Sequence, residues 1–168
     1  MGLILQPFED IKNGSIGLKK HFPTTVSCSK LNGQQQKLIK QFCKKYKIFF
    51  NTNLRVWGIS KNSSTDHVKK MASTGDTVLF VARRNVYAKA TLVKGIVDDP
   101  MFNQLWQKNA NMRNVNYDRV YLIDKVTVYQ KQQPLNTFIS KVMKDMNTQN
   151  TVNAQLPTGI VRNIQYFK

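Results

Sequence analysis

Thr77-Val78-Leu79-Phe80-Val81-Ala82-Arg83-Arg84-Asn85-Val86-Tyr87-Ala88-Lys89-Ala90-Thr91-Leu92-Val93 is the stretch on which the reading of the fold turns. Its first six residues are a β-prone apolar run, and a second run of the same character starts at Val86 and continues to Val97. Only Arg83-Arg84-Asn85 separates them. Asn tolerates positive φ, so a hairpin connection with a tight basic tip is expected there. Thr74-Gly75-Asp76 supplies a turn before the first run, and Asp98-Asp99-Pro100 breaks the second. Two long strands therefore form the expected spine of a sheet.

Upstream of this spine, Asn53 to Ile59 alternates as a short strand and stops at the polar run Ser60 to Ser64. Ser64 or Thr65 can cap a helix through Met71, with Asp66 favouring its positive end. From Gln34 to Lys47, Leu38, Ile39, Phe42, Cys43 and Tyr46 fall at helical spacing, while Lys37, Lys40, Lys44, Lys45 and Lys47 fill the rest. Residues 1–32 carry weak periodicity and many turn formers, and read as an arm ahead of a body spanning 34–168 of one domain. Downstream, Pro100 opens a short helix through Trp106, Gln107 to Asn116 is a polar loop, and Tyr117 to Tyr129 returns to β alternation. Pro134 then starts a helix to Met146, and Leu156 to Val161 leads to a last short strand or bend. The class is α+β, with short helices flanking a curved mixed sheet.

Charge narrows the function. The 168 residues hold 26 Lys plus Arg against 9 Asp plus Glu, a net charge of +17. A fold of this charge repels itself and wants a polyanion, most often nucleic acid. Lys outnumbers Arg, which favours steering of a phosphate backbone over planar recognition of bases. Cys28 and Cys43 are too few for a disulfide scaffold and lack zinc-type pairing with His21 and His67. No run is long enough to span a membrane, Met1 to Leu5 is too short for a signal peptide, and Gln6 stands where myristoylation wants Ser or Thr. The expected place is inside a cell, with no membrane partner, no metal and no cofactor.

Catalysis has little to build on. Asp76 and Asp98-Asp99 read as turn and cap residues, and Asp124-Lys125 lacks the spacing and the nearby glutamate of a nuclease site. No Gly-rich phosphate loop or nucleophile elbow is present. The expectation is a binding protein and not an enzyme, with a nuclease as the weakest alternative.

Candidate contacts follow from chemistry. Arg83 and Arg84 at a hairpin tip repel each other, so phosphate contact explains them better than structure does. Lys61, Lys108 and Arg113 join them as phosphate contacts, with Asn85 and Lys89 beside them. Lys89 and Lys94, an odd number of positions apart, are expected on opposite faces of the sheet. Ser60 and Asn62 follow the first body strand and can offer hydrogen bonds to a base edge, or simply cap the next helix. Trp57, Phe102 and Trp106 have ordinary readings as core residues.

The ordered series Val56-Trp57-Gly58-Ile59, Gly75 to Phe80, Ala88 to Val93, Leu105-Trp106 and Tyr117 to Asp124 resembles the EVE-like branch of the PUA superfamily, which also contains the YTH readers of methylated RNA. The closest look is to the DNA-binding domains at the N-terminus of McrB-type restriction subunits. Those domains continue with a Pro-initiated helix and a Gly-containing turn, here Pro134 to Met146 and Pro157-Thr158-Gly159-Ile160. The resemblance implies a sheet closing toward a barrel and recognition of nucleic acid, DNA before RNA, with a modified or flipped base held in an aromatic pocket. It implies Trp57 as one wall of that pocket, with Phe102 or Trp106 opposite. The alternative is a sequence-independent packaging or accessory protein that feels only phosphates.

Overall fold

The computed structural model describes residues 1–7, 25–27, 33–51, 53–59, 61–99, 119–145 and 164–167. Seven strands, β1 (Leu3–Pro7), β2 (Thr25–Ser27), β3 (Arg55–Ile59), β4 (Thr77–Ala82), β5 (Asn85–Asp98), β6 (Arg119–Pro134) and β7 (Gln165–Phe167), form one sheet in the order β2-β3-β6-β5-β4-β1-β7. Among the described residues three helices flank it: α1 (Gly33–Lys45), α2 (Ser63–Met71) and α3 (Leu135–Asp145). The sheet is mixed, because β1 runs parallel to β4 while the other pairs are antiparallel. It is curved but not closed, since β2 and β7 remain at its two margins.

The hairpin forms as its composition dictates, with a two-residue turn at Arg83 and Arg84 between β4 and β5. Ahead of it, Gly75 takes φ 94, a left-handed conformation that residues with a Cβ rarely adopt. The Gly75 amide then donates to the Leu92 carbonyl at 2.8 Å, locking the turn onto β5. Downstream, β6 runs past the expected end at Tyr129 to Pro134, and α3 begins at Leu135.

Residues 1–32 are not simply an arm. Leu3–Pro7 is an interior strand between β4 and β7, and Thr25–Ser27 pairs with β3. A continuous run such as Leu3-Ile4-Leu5 shows no alternation because both of its faces are covered: Ile4 enters one core while Leu3 and Leu5 enter another. The expected helix at 100–106, the loop at 107–116 and the segment 156–161 lie outside the described residues.

One face of the sheet, the inner face, carries Ile4, Trp57, Phe80, Ala88, Ala90, Leu92, Tyr121 and Ile123, with Val68 of α2 packed on it. The other face carries two clusters. Ile39, Phe42 and Cys43 of α1 cover Leu54, Val56, Val120 and Leu122, and Leu135 and Ile139 of α3 cover Leu3, Leu5, Leu79, Val81 and Val86. Each fully buried side chain of this size contributes roughly 1.5–3 kcal/mol by leaving water, so both helices are fixed by their apolar stripes.

Candidate nucleic-acid interface

Acidic residues set the electrostatic frame, because nearly every described carboxylate has an internal partner. Asp76 is buried and accepts from the amides of Gly2 at 2.5 Å and Ser73 at 2.8 Å. It thereby ties β1 to the start of β4, a role beyond that of a turn residue. Asp99 accepts from Lys45 Nζ at 2.9 Å, which raises the lysine pKa. Asp98 accepts from Lys69 Nζ at 2.6 Å and from Arg119 Nε at 2.7 Å. The Lys69 contact, reinforced by Arg119, holds its carboxyl below the usual range against the opposing effect of burial. Asp124 accepts from the Lys125 amide at 2.6 Å.

Arg119 is the centre of this network. Its side chain is 2% exposed, Nη2 donates to Asp66 at 2.6 Å, and Nη1 donates to the Thr65 hydroxyl at 2.7 Å. That hydroxyl also accepts from the Asn62 amide and donates to the Asn62 carbonyl, both at 2.9 Å. Burial alone would lower the arginine pKa, but Asp66 and Asp98 outweigh it. One guanidinium thus pins the start of β6 to the end of β5 and the first turn of α2. A second buried polar pair lies further in, where the Tyr121 hydroxyl donates to Gln6 Oε1 at 3.0 Å and burial raises the phenol well above its ordinary value.

Among the sequence-derived contacts, Arg83 and Arg84 are exposed at the hairpin tip. The residue that takes positive φ is Arg83, at 56°, and not Asn85, which opens β5 opposite Ala82 and Pro134. The Arg84 carbonyl accepts from the Leu135 amide at 2.9 Å, so α3 begins against the tip. Lys61 is exposed before α2. It does not share a site with the tip: β3 ends at Ile59 opposite Arg119, the first residue of β6, whereas the tip faces Pro134, the last. Asn62 is the N-cap of α2. Its side-chain oxygen accepts from the Thr65 amide at 2.9 Å in a capping box, so the capping reading holds and that oxygen is not open to a base edge.

Trp57 is the largest departure. The indole is 5% exposed, lies on the inner face and stands 4.6 Å from the Phe80 ring between centroids. A side chain so placed is packing the core, and its stacking role has no open face here. Ser60, Phe102, Trp106, Lys108 and Arg113 lie outside the described residues.

Lys89 is exposed, opposite Leu79 on one side and Thr127 on the other, which puts it on the face that α1 and α3 cover. Lys94 lies opposite Leu122 on that same face, with its ammonium 5.2 Å from the Tyr46 ring. The expected opposite facing fails because the register of β5 against β6 shifts between Leu92 and Lys94. An irregularity of this kind breaks the two-residue period.

The basic face of α1 received no site residue from the sequence, yet Lys37, Lys40 and Lys44 are exposed along it. Just beyond the helix Phe49 is 86% exposed, the most exposed large apolar side chain among the described residues. The sequence holds a Phe49-Phe50 pair shortly after Lys44, Lys45 and Lys47, but nothing in it says which ring turns outward. Among the described residues no group of three or more His, Cys, Asp or Glu could hold a metal ion, and no helix is long and apolar enough to cross a membrane.

No family model matches the chain, and no curated protein matches it. Solved structures do. A hypothetical protein from Leishmania major is similar over 100% of this chain and 87% of its own, at 16% identity and TM-score 0.45. Human THYN1 protein, solved in complex with 5-methylcytosine containing DNA, is similar over 100% of this chain and 91% of its own, at 11% identity and TM-score 0.43. A protein from Pseudomonas putida is similar over 86% of this chain and 81% of its own, at 10% identity and TM-score 0.40. At these TM-scores the likeness carries no functional inference, which has to come from the chain's own residues.

Proposed function

We propose that the chain is a nucleic-acid-binding domain that holds a phosphodiester backbone, DNA in preference to RNA, and carries out no chemistry on it. The observation that supports this is a net charge of +17 whose described carboxylates are engaged in internal contacts, leaving lysines exposed on α1 and arginines exposed at the β4–β5 tip. Such a surface is counterbalanced by phosphates and released counterions. The preference for DNA follows the resemblance of the ordered motifs to restriction-subunit domains.

Reading of a modified or flipped base is the finer form of this proposal. Trp57 would have to leave its packing against Phe80 to stack on such a base. Its burial favours, as a second reading, a packaging or accessory protein that senses phosphates alone.

Fluorescence anisotropy against matched duplex DNA, single-stranded DNA and RNA, with and without a methylated base, over a salt series tests both. A protein making 6–10 phosphate contacts should lose about 10³–10⁵ in affinity between about 50 and 200 mM salt. A methyl-dependent difference that persists at high salt supports the base reader. Affinities that collapse together leave the packaging reading, and absence of salt-dependent binding overturns the proposal.

A further inference from the structure

The edge formed by α1 and the turn after it combines two features that the core does not explain. The apolar stripe of α1 is spent on the sheet, and its remaining face presents Lys37, Lys40 and Lys44 to solvent. No acidic residue stands in the chain between Asp10 and Asp66. Among the described residues, the carboxylate paired with a lysine of this edge is Asp99, whose side chain is 6% exposed and held by Lys45. The lysines here are therefore not balanced by neighbouring acids along the chain.

The helix ends in a left-handed closure: Lys47 takes φ 54, and the Ile48 amide donates to the Cys43 carbonyl at 2.8 Å. Ile48 and Phe50 both pack against the α1 cluster, which turns Phe49 between them outward to 86% exposure. On the far side, Asn51 Oδ1 accepts from the amides of Asn53 at 2.8 Å and Leu54 at 3.0 Å. Phe49 is thus presented by a backbone fixed on both sides. Lys40 Nζ stands 5.3 Å from the Phe50 ring, so a cation already lies over the aromatic next door.

A single exposed aromatic is ordinary on a protein surface. An outward aromatic on a pinned turn, set among cations with no acid nearby in sequence, is the composition that binds unpaired nucleotides, because a base stacks on the ring while its phosphates meet the cations. We propose that Phe49 is a stacking platform for an unpaired base of a single-stranded nucleic acid, whose phosphates are held by Lys40, Lys44 and Lys47. This rests on the nucleic-acid-binding reading above and adds a strand type and a place to it.

The test uses the full chain and four labelled probes: an oligo-dT strand, its RNA equivalent, a strand of the same length built from abasic sugar phosphates, and a blunt duplex. Phe49→Ala should weaken binding to the dT or RNA strand by about 5- to 100-fold. It should change affinity for the abasic strand and the duplex by less than about 2-fold, since those probes offer phosphates but no free base. Phe49→Trp should restore the loss. Lys44→Gln and Lys47→Gln should each reduce the salt slope on single strands by about 0.7. Which strand loses more separates DNA from RNA as the source of the base. An unchanged affinity of Phe49→Ala for base-bearing strands, with wild type binding them, overturns the stacking platform alone. Wild type that binds no probe overturns the underlying reading as well. Loss of a self-associated species in Phe49→Ala, seen by sedimentation velocity with nucleic-acid binding unaltered, would give the ring to a second copy of the chain and also overturn the proposal.

Discussion

Replacing Arg119 by Ala removes the guanidinium that joins β6, β5 and α2, and its cost can be built from the contacts. Three charge-assisted hydrogen bonds, at roughly 1.5–3 kcal/mol each, set a ceiling of about 5–9 kcal/mol. The ceiling is far from reached, because the Asp66 and Asp98 side chains are 50% and 44% exposed and can rehydrate once the arginine is gone. Lys69 also stays on Asp98. The Thr65 hydroxyl, in a residue 3% exposed, keeps its two Asn62 bonds and loses one donor, at about 1 kcal/mol. Loss of the packed stem of a side chain among the largest fully buried ones adds a cavity, at about 2–3 kcal/mol. The sum places Arg119→Ala at about 3–4 kcal/mol of lost stability. Arg119→Met keeps the packing and removes the burial cost of the charge, so it should lose only about 1–2 kcal/mol. Urea unfolding followed by far-ultraviolet circular dichroism measures both. A cost below about 1 kcal/mol for the Ala variant, or a Met variant as damaged as the Ala variant, would refute this division between packing and pairing.

Three further outcomes follow from the same geometry. Trp57→Ala should lose about 3–5 kcal/mol in urea unfolding as a core truncation, while the folded fraction binds nucleic acid as before; a stable variant with lost binding would restore the indole to the interface. Gly2→Ala drives its Cβ into the Tyr166 hydroxyl and should cost about 1–3 kcal/mol, read as a lowered urea midpoint. Because the folded Asp98 carboxyl sits below its unfolded value of about 3.8, its contribution is complete above that pH and is lost as pH falls through the lower, folded value. Urea midpoints of wild type and Asp98→Asn should therefore converge below about pH 4 and stay apart at neutral pH.

What could be read from the sequence was local. The β4–β5 hairpin, the helix at α1 and the helix at α2 each carry their signal within a dozen residues, in alternation, helical spacing or a run of capping residues. The N-cap of α2 is nevertheless Asn62 and not Ser64 or Thr65, because Thr65 sits at the third helical position and returns the capping bond. The features that escaped depend on partners far along the chain. Leu3–Pro7 is a strand because Thr77 to Val81 receives it, and a run covered on both faces has no period to detect. Trp57 becomes core when Phe80 arrives from β4, and Arg119 becomes a hub when Asp66 and Asp98 do. The facing of Lys94 was misread because parity fails across a register shift that no residue type announces. Of the candidate site, the basic tip at Arg83 and Arg84 was legible, and the Phe49 edge was not, since exposure of one Phe beside a half-buried one is decided by the turn between helix and strand.

The two margins of the sheet are β2 and β7, of three residues each. A strand seeking to extend a sheet needs a row of unpaired amides and carbonyls to align against, and so short a margin offers only a couple of them. Growth by pairing at these two margins is therefore disfavoured, even though β5 and β6 in the middle of the sheet are long. Among the described residues β3 lies beside β6 only over Arg119–Ile123, so the other side of β6 from Asp124 to Pro134 has no described strand next to it, and that stretch, rather than either sheet margin, is where a second molecule could meet unpaired backbone.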